Sequence, residues 1–124
     1  MSTPVSDLSE MLTGMKPTLR EGRYRFAPHG PDEDFIDLLP RTFAMVREEE
    51  GMTLVIRARR EDPGPIFAGI TLQVHSAREG VGLTAAVATT LAEAGIPCNV
   101  IAAYHHDHIF VPWDRRAEAM ERLE

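Results

Sequence analysis

Val81-Gly82-Leu83-Thr84-Ala85-Ala86-Val87-Ala88-Thr89-Thr90-Leu91-Ala92-Glu93-Ala94-Gly95 is the stretch around which the rest of the chain is arranged. Leu83, Val87, Leu91 and Ala94 recur at near-helical spacing, and Ala85, Ala86 and Ala88 add helix propensity with little bulk, so the pattern predicts a helix packed closely on a sheet. Both ends are marked. Gly80 and Gly82 open the helix, Gly95 stands where a left-handed C-terminal cap is wanted, and Pro97 cannot continue it. The unpaired amide groups and flexible glycines at its start make it a candidate grip for a small anion such as a carboxylate.

On either side of this helix the period changes to two. Before it, Ile66, Ala68, Ile70, Leu72 and Val74 share one face of a predicted strand, with Phe67, Gly69, Thr71, Gln73 and His75 on the other. After it, Pro97 to Tyr104 reads as a strand with both faces largely buried: Cys98, Val100, Ala102 and Tyr104 on one side, Asn99, Ile101 and Ala103 on the other. The tetrad His105-His106-Asp107-His108 interrupts the pattern as a turn does, and Ile109-Phe110-Val111 resumes a strand. Asp114 is expected to cap a last helix with Ala117, Met120 and Leu123 as its apolar stripe and Glu118 and Arg122 as an exposed ion pair. The order strand, helix, strand, strand, helix is that of a ferredoxin-like α+β sandwich without its last strand. An open edge beside a buried core is a liability, so a strand from residues 20 to 57 is expected to fill or abut it and interlock the two halves.

Towards the N-terminus, Val5 to Met15 reads as a short helix with Ser6 as N-cap, closed by Gly14 and Pro17. Arg23-Tyr24-Arg25-Phe26 alternates like a half-buried strand whose cationic face meets solvent. Pro31-Asp32-Glu33-Asp34 is a solvated loop. Phe35, Ile36, Leu38 and Leu39 need burial, as a short turn or an irregular edge, and the pattern assigns the path of residues 28–40 no further. Thr42 to Arg47 and Met52 to Arg57 form a predicted hairpin, turned by Glu48-Glu49-Glu50-Gly51 with glycine where a positive φ is required. The charged, proline- and glycine-rich run Arg59 to Pro65 is the natural seam, giving halves of residues 1–60 and 61–124.

With 124 residues, 44% of them hydrophobic, the chain has enough material for one compact unit or two very small halves sharing a core. The net charge of −6 and the scattered arginines argue against duplex nucleic acid as a partner, since phosphate neutralisation needs a concentrated basic face. One cysteine, Cys98, cannot form an internal disulfide, so a reducing, cytoplasmic setting is expected. An N-terminal apolar leader segment and a long apolar run are both lacking, so secretion and membrane spanning are not expected.

Gly64-Pro65-Ile66, Val81-Gly82-Leu83-Thr84-Ala85, Leu91-Ala92-Glu93-Ala94-Gly95-Ile96-Pro97 and Asp107-His108-Ile109-Phe110-Val111-Pro112 together resemble an ACT domain. More narrowly, they are similar to small stand-alone bacterial ACT proteins, to the regulatory ACT modules of aspartate kinase and to CASTOR-type domains. The resemblance covers residues 64–123 well and the first 60 loosely, where it implies a second, degenerate ACT-like unit. It implies binding rather than catalysis: an amino acid or similar metabolite held where the strand-to-helix loop of one unit faces a neighbour, and sheets paired between units. On this sequence the implied ligand residues are Gly80, Val81, Gly82, Leu83 and Thr84 through their amides, Asn99 on the following strand, and Asp107, which would take an amine or guanidinium. His105, His106 and His108 surround Asp107 where CASTOR-type domains carry small hydroxylated residues.

Each of these residues also has a purely structural use: the glycines as turn formers, Asn99 as a partner for buried backbone, Asp107 as a turn residue. His106 and His108 share one side of an extended strand and could hold zinc, nickel or copper, but no HExxH or cysteine pair supports them, so the expectation is no metal and no cofactor. A nucleophile elbow and a phosphate-binding glycine loop with lysine are also missing, and His75 with Asp107 can be written as an acid–base pair but nothing in the sequence places them together, so no enzyme is expected. Tyr104 and Trp113 are read as packing residues. The expected protein is an amino-acid-binding regulatory homodimer or partner of an enzyme or transporter. Its rivals are a ligand-free interaction module using Phe67, Thr71, Gln73 and Ile101, and a metal binder using the hairpin histidines. If the N-terminal half completes the C-terminal sheet, residues 61–124 expressed alone will fail to melt cooperatively; a soluble fragment with a sharp transition counts against the interlock.

Overall fold

In a computed structural model, described for residues 16–73 and 80–124, the chain packs as two compact units. Residues 22–67 form unit 2; unit 1 contains the described residues up to Glu21 together with Ala68–Glu124. The helix expected over residues 5–15 lies outside the described residues, as do residues 74–79, which include Val74 and His75 of the expected strand.

Unit 2 contains strands β2 (Tyr24–His29), β3 (Thr42–Glu48) and β4 (Gly51–Arg57), with a 3-10 segment over Ile36–Arg41. Its strands lie in the order β3-β4-β2, antiparallel throughout, with Ala27 opposite Leu54 and Arg47 opposite Met52. The predicted hairpin is present, turned at Glu49-Glu50, and Gly51 takes φ 145°. A Cβ at Gly51 would collide with the His29 carbonyl oxygen and crowd the Gly30 Cα at 3.1 Å, so glycine is required there both for its dihedral and for its lack of a side chain. The run after the acidic loop is now assigned: Phe35 and Leu38 pack against Ala27, Leu54 and Ile56. Ile36 and Leu39, expected to be buried with them, stay 68% and 42% exposed, because a short 3-10 segment presents only one narrow side to the sheet.

The cationic face of β2 is not simply solvated. Asp62 accepts the backbone N–H of Arg59 at 2.8 Å and lies 3.5 Å from Arg25 and 3.6 Å from Arg41, so the seam is tied down by one carboxylate.

Unit 1 holds β1 (Pro17–Leu19), most of β5 (Phe67–Leu72), α1 (Gly80–Glu93), β6 (Asn99–Ala102), β7 (Asp107–Pro112) and α2 (Arg116–Leu123). β7 lies between β5 and β6, and β1 pairs antiparallel with β5, Thr18 opposite Thr71 and Leu19 opposite Ile70. With β1 in the place of a fourth strand, this is the ferredoxin-like order, an α+β arrangement of antiparallel strands with helices. The edge of β5 is taken in unit 1 by Pro17–Leu19, and in unit 2 β2, within the residue 20 to 57 range expected to fill or abut it, pairs with the start of β5, Tyr24 opposite Phe67. The core consists of Ala68, Ile70 and Leu72 of β5, Val87 and Leu91 of α1, Ile109 and Val111 of β7, and Ala119 and Leu123 of α2, with Ile96 beside them.

The C-terminus of α1 is closed twice. Gly95 at φ 71° allows Gly95 N–H to bond Ala92 and Ile96 N–H to bond Leu91, the paired bonds of a left-handed cap. Arg115 then donates to the carbonyls of Ala94 at 3.1 Å and Gly95 at 3.3 Å and pairs with Glu118 at 2.7 Å, placing a cation at the negative end of the helix.

Three further expectations are corrected. β6 spans four residues with Asn99 and Ala102 exposed, since among the described residues it is the outer strand, with β7 on one edge. Asp114 lies in a 3-10 turn over Trp113–Arg115 instead of capping α2, which starts at Arg116 with no side-chain cap. The buried stripe of α2 is Ala119 and Leu123, with Met120 partly buried and Ala117 exposed, because a repeat of three residues drifts off the face of a 3.6-residue helix. The Glu118 to Arg122 pair forms at 3.9 Å.

Gly51→Ala should cost roughly 1–3 kcal/mol of stability. Gly95→Ala, with nothing within 4 Å of its Cβ, should cost only the left-handed penalty of about 1 kcal/mol. Urea midpoints of the two variants measure the difference, and equal losses would contradict the backbone clash at Gly51.

Asp62 provides a pH handle. Its bond from the Arg59 amide, aided by Arg25, Arg41 and Arg59 against the opposing effect of desolvation, holds its carboxyl below the usual 3.8. A depressed native value means stability that is fully present above pH 3.8 and lost as pH falls through the native value. Acid unfolding of Asp62→Asn should therefore show a shallower decline in that window than the parent; parallel curves would refute the role of Asp62.

Candidate functional site

The five residues read as a ligand-gripping loop, Gly80, Val81, Gly82, Leu83 and Thr84, are the first turn and a half of α1. Gly82 and Thr84 are half-buried, while the side chains of Val81 and Leu83 are outside the described residues. The first turn of the helix contains no acidic side chain, and free amides at such a helix start are groups that can take a small anion.

Asp107 is the first residue of β7, paired with Ala102 and only 8% exposed, so it belongs to the strand and not to the turn. The turn is Ala103 to His106, closed by Ala103 N–H to the His106 carbonyl at 3.0 Å. Alternation puts Asp107 on the face of Ile109 and Val111, which is the core face. Its neighbour His108 contacts Thr71, one residue short of the end of β5, so Asp107 sits at the end of unit 1 from which the chain leaves towards α1. Asn99 is elsewhere. It opens β6 opposite Phe110, exposed, three steps or about 10 Å along the hairpin from Asp107. It also follows the C-terminal end of α1, whose 14 residues span about 21 Å. Within one chain the geometry gathers Asp107 and the exit of β5, and sends Asn99 to the other end.

A cluster that the sequence pattern did not single out lies on the opposite face of the same strands. Arg20 is held by its backbone N–H on the Gly69 carbonyl at 2.8 Å, and its guanidinium donates to Thr71 Oγ1 at 3.4 Å. Thr71 Oγ1 is 3.0 Å from His108 Nδ1, and the rings of His108 and His106 are 6.4 Å apart. Thr71 is 6% exposed, which removes it from the flat outer face proposed for an interaction module. Desolvation first, then the charges of Arg20 and His106, push the His108 imidazole down, with Asp107 pulling the other way. The sequence signals were Thr71, a hydroxyl in an apolar strand, and the hairpin histidines His106 and His108; that Arg20 meets Thr71 is a consequence of β1 pairing.

Among the described residues no group of three or more His, Cys, Asp or Glu side chains is placed to hold a metal ion. Cys98 is half-buried and burial pushes its thiol up, so it stays protonated and unreactive at neutral pH. Trp113 packs as expected, under the Arg116 guanidinium at 3.8 Å, whereas Tyr104 is 91% exposed because it sits in the hairpin turn.

Two family models, both described as ACT domain, match residues 3–62 and 68–124. Among solved structures, a protein of unknown function from Vibrio cholerae, VC0802, described as a possible transport protein, shares 42% identity over 98% of this chain and 96% of its own, with a TM-score of 0.81. Protein Atu0741 from Agrobacterium tumefaciens is 19% identical, with a TM-score of 0.69 over 88% of this chain and 86% of its own. The ligand-free regulatory subunit of aspartate kinase from Thermus thermophilus is 11% identical, with a TM-score of 0.61 over 89% and 95%. The last two share the fold. No curated protein matches the sequence. With an ACT-domain match in each half and ACT-type topology in unit 1, the chain belongs to the ACT-domain family as a small tandem of two such domains.

Proposed function

We propose that this chain is a regulatory ligand-binding protein without catalysis of its own, and that its ligand is an amino acid. The observation that carries the reading is the presence of an ACT-domain match in each half combined with a helix that begins Gly80-Val81-Gly82-Leu83-Thr84 and has no acidic group in its first turn. The amides there take the ligand carboxylate, and Asp107 takes its amine. Asn99, at the far end of unit 1, joins such a site from a second copy, so the reading goes with a homodimer. Residues 1–60 and 61–124 are the two ACT-like halves, the setting is cytoplasmic, and the regulated partner is an enzyme or a transporter. Ligand bridging two units shifts the population of their arrangements only by the difference in its affinity for each, and the partner must affect ligand affinity reciprocally.

A second reading, a dimerisation module without ligand, draws support from β3, the outer strand of unit 2, where Met45 and Val46 are each 48% exposed. One screen separates the two. Metal-stripped protein heated with each standard amino acid should show a dose-dependent rise in Tm with one or two of them, equivalent to about 2.7 kcal/mol at a hundredfold excess over Kd. Gly82→Asp should abolish that rise through charge repulsion while keeping the fold, since an aspartate in the first turn suits the helix dipole. A flat response to every amino acid would overturn the sensor and leave the dimerisation module.

A further inference from the structure

We propose that unit 2 carries a binding site for a small apolar monocarboxylic acid, in a hollow of about 370 Å³ beside the β3–β4 turn, with Arg47 receiving the carboxylate. Pro31, Phe35, Met45 and Met52 form its apolar part, and Arg47 and Glu49 stand beside them. The strand register explains why the hollow exists. Arg47 is opposite Met52 and Met45 opposite Leu54, so these side chains share the face on which Phe35 and Leu38 pack. That face needs a cover, and the 3-10 segment over Ile36–Arg41 is six residues long with none of them buried. It packs beside β4, while at the outer strand Met45 stays half exposed. The space left over falls within the roughly 300–1,000 Å³ range of small-molecule sites.

The lining says what fits. Phenylalanine and two methionines offer an apolar surface that adapts to the shape of its guest. In unit 2, Arg25 and Arg41 share Asp62, and Arg57 lies over the Tyr24 ring. Among the described residues, by contrast, no hydrogen bond, ion pair or ring contact engages the Arg47 guanidinium. Its neighbour Glu48 does not neutralise it, because that carboxylate accepts the hydroxyl of Thr53, which pairs with Val46 on the other face of the sheet. An unengaged guanidinium on the wall of an apolar hollow is a receptor for a carboxylate: its planar fork matches the paired oxygens, and the apolar neighbours strengthen the charge-assisted bonds. Glu48 and Glu49 border the turn side of the hollow, so a second carboxylate on the ligand would meet like charge there. The site therefore selects against dicarboxylates as well as against apolar amines, which would bring a cation to Arg47.

The hollow shares no residue with the start of α1, so its success or failure leaves the amino-acid reading of unit 1 untouched. The test is NMR of the full chain labelled with carbon-13 at the methionine methyl groups, titrated with 4-methylpentanoate, adipate and 4-methylpentan-1-amine at matched ionic strength. Expected are saturable shifts of Met45 and Met52 with 4-methylpentanoate, no shift of Met120 in unit 1, and weaker binding of the dicarboxylate and the amine. Leucine, the same carbon skeleton with an amino group added, distinguishes the two sources of such a carboxylate: tighter binding than 4-methylpentanoate assigns the site to an apolar amino acid, weaker binding to a simple acid. Arg47→Gln should weaken binding about tenfold or more, and Arg47→Lys, which keeps the charge without the fork, should restore part of it. Glu49→Gln should narrow the gap between 4-methylpentanoate and adipate. Shifts that do not saturate, that the amine reproduces, or that survive Arg47→Gln would overturn the site. So would Met45 and Met52 signals that move with protein concentration alone, since a second copy of the chain would then fill the hollow.

Discussion

A strand that carries a core on one side cannot leave its free edge to water without offering a template for unwanted pairing. In unit 1 that strand is β5, and the edge is closed by three residues, Pro17–Leu19. Proline at the first position of the short strand gives up a donor where little is lost, Thr18 and Leu19 complete the ladder, and Arg20 extends it by a bond to the Gly69 carbonyl. Much of unit 1 depends on this pairing. It supplies the strand that the C-terminal segment lacks after α2, lies against α2, and is the reason Arg20 reaches Thr71. It also makes unit 1 discontinuous in sequence, with the chain leaving after Glu21 and returning at Ala68.

The second constraint is the polarity of α1. Its C-terminal end is saturated: Gly95 lets the chain turn back on the last carbonyls, and Arg115 brings both donors and positive charge. Its first turn, from Gly80, carries no acidic side chain. The sheet of unit 1 has its own asymmetry. One face is occupied by aliphatic side chains under the helices, and the other carries the hydroxyl of Thr71 and the imidazole of His108.

Local pattern was sufficient wherever a single element answers to its own residues. The α1 repeat, the glycine cap at Gly95, the β3–β4 hairpin with Gly51 at a positive φ, the alternation of β5 and the Glu118 to Arg122 pair were all legible, because each depends on neighbours within a few residues. Exposure at element ends was less legible. Ile36 and Leu39 are apolar and still face outward, Tyr104 stands in a turn, and Ala117 falls off the buried face of α2. Each depends on which surface a distant segment covers, and hydrophobicity alone does not report it.

The same division holds for the site. Glycines at the start of α1 and an acid near the hairpin could be named from residues, but Asp107 at strand rather than turn, and Asn99 at the opposite end from Asp107, depend on the β6–β7 register. The sequence by itself determined the fold class, the helix and its ends, and the family, since those are carried by periodicity and by short motifs. Tertiary structure decided which strand completes β5, how Arg20, Thr71 and His108 meet, and which helix end is closed by Arg115. The physical reason is that these contacts join residues some 20 to 50 positions apart, and the choice among such partners is made by packing and edge pairing, for which no local signal exists.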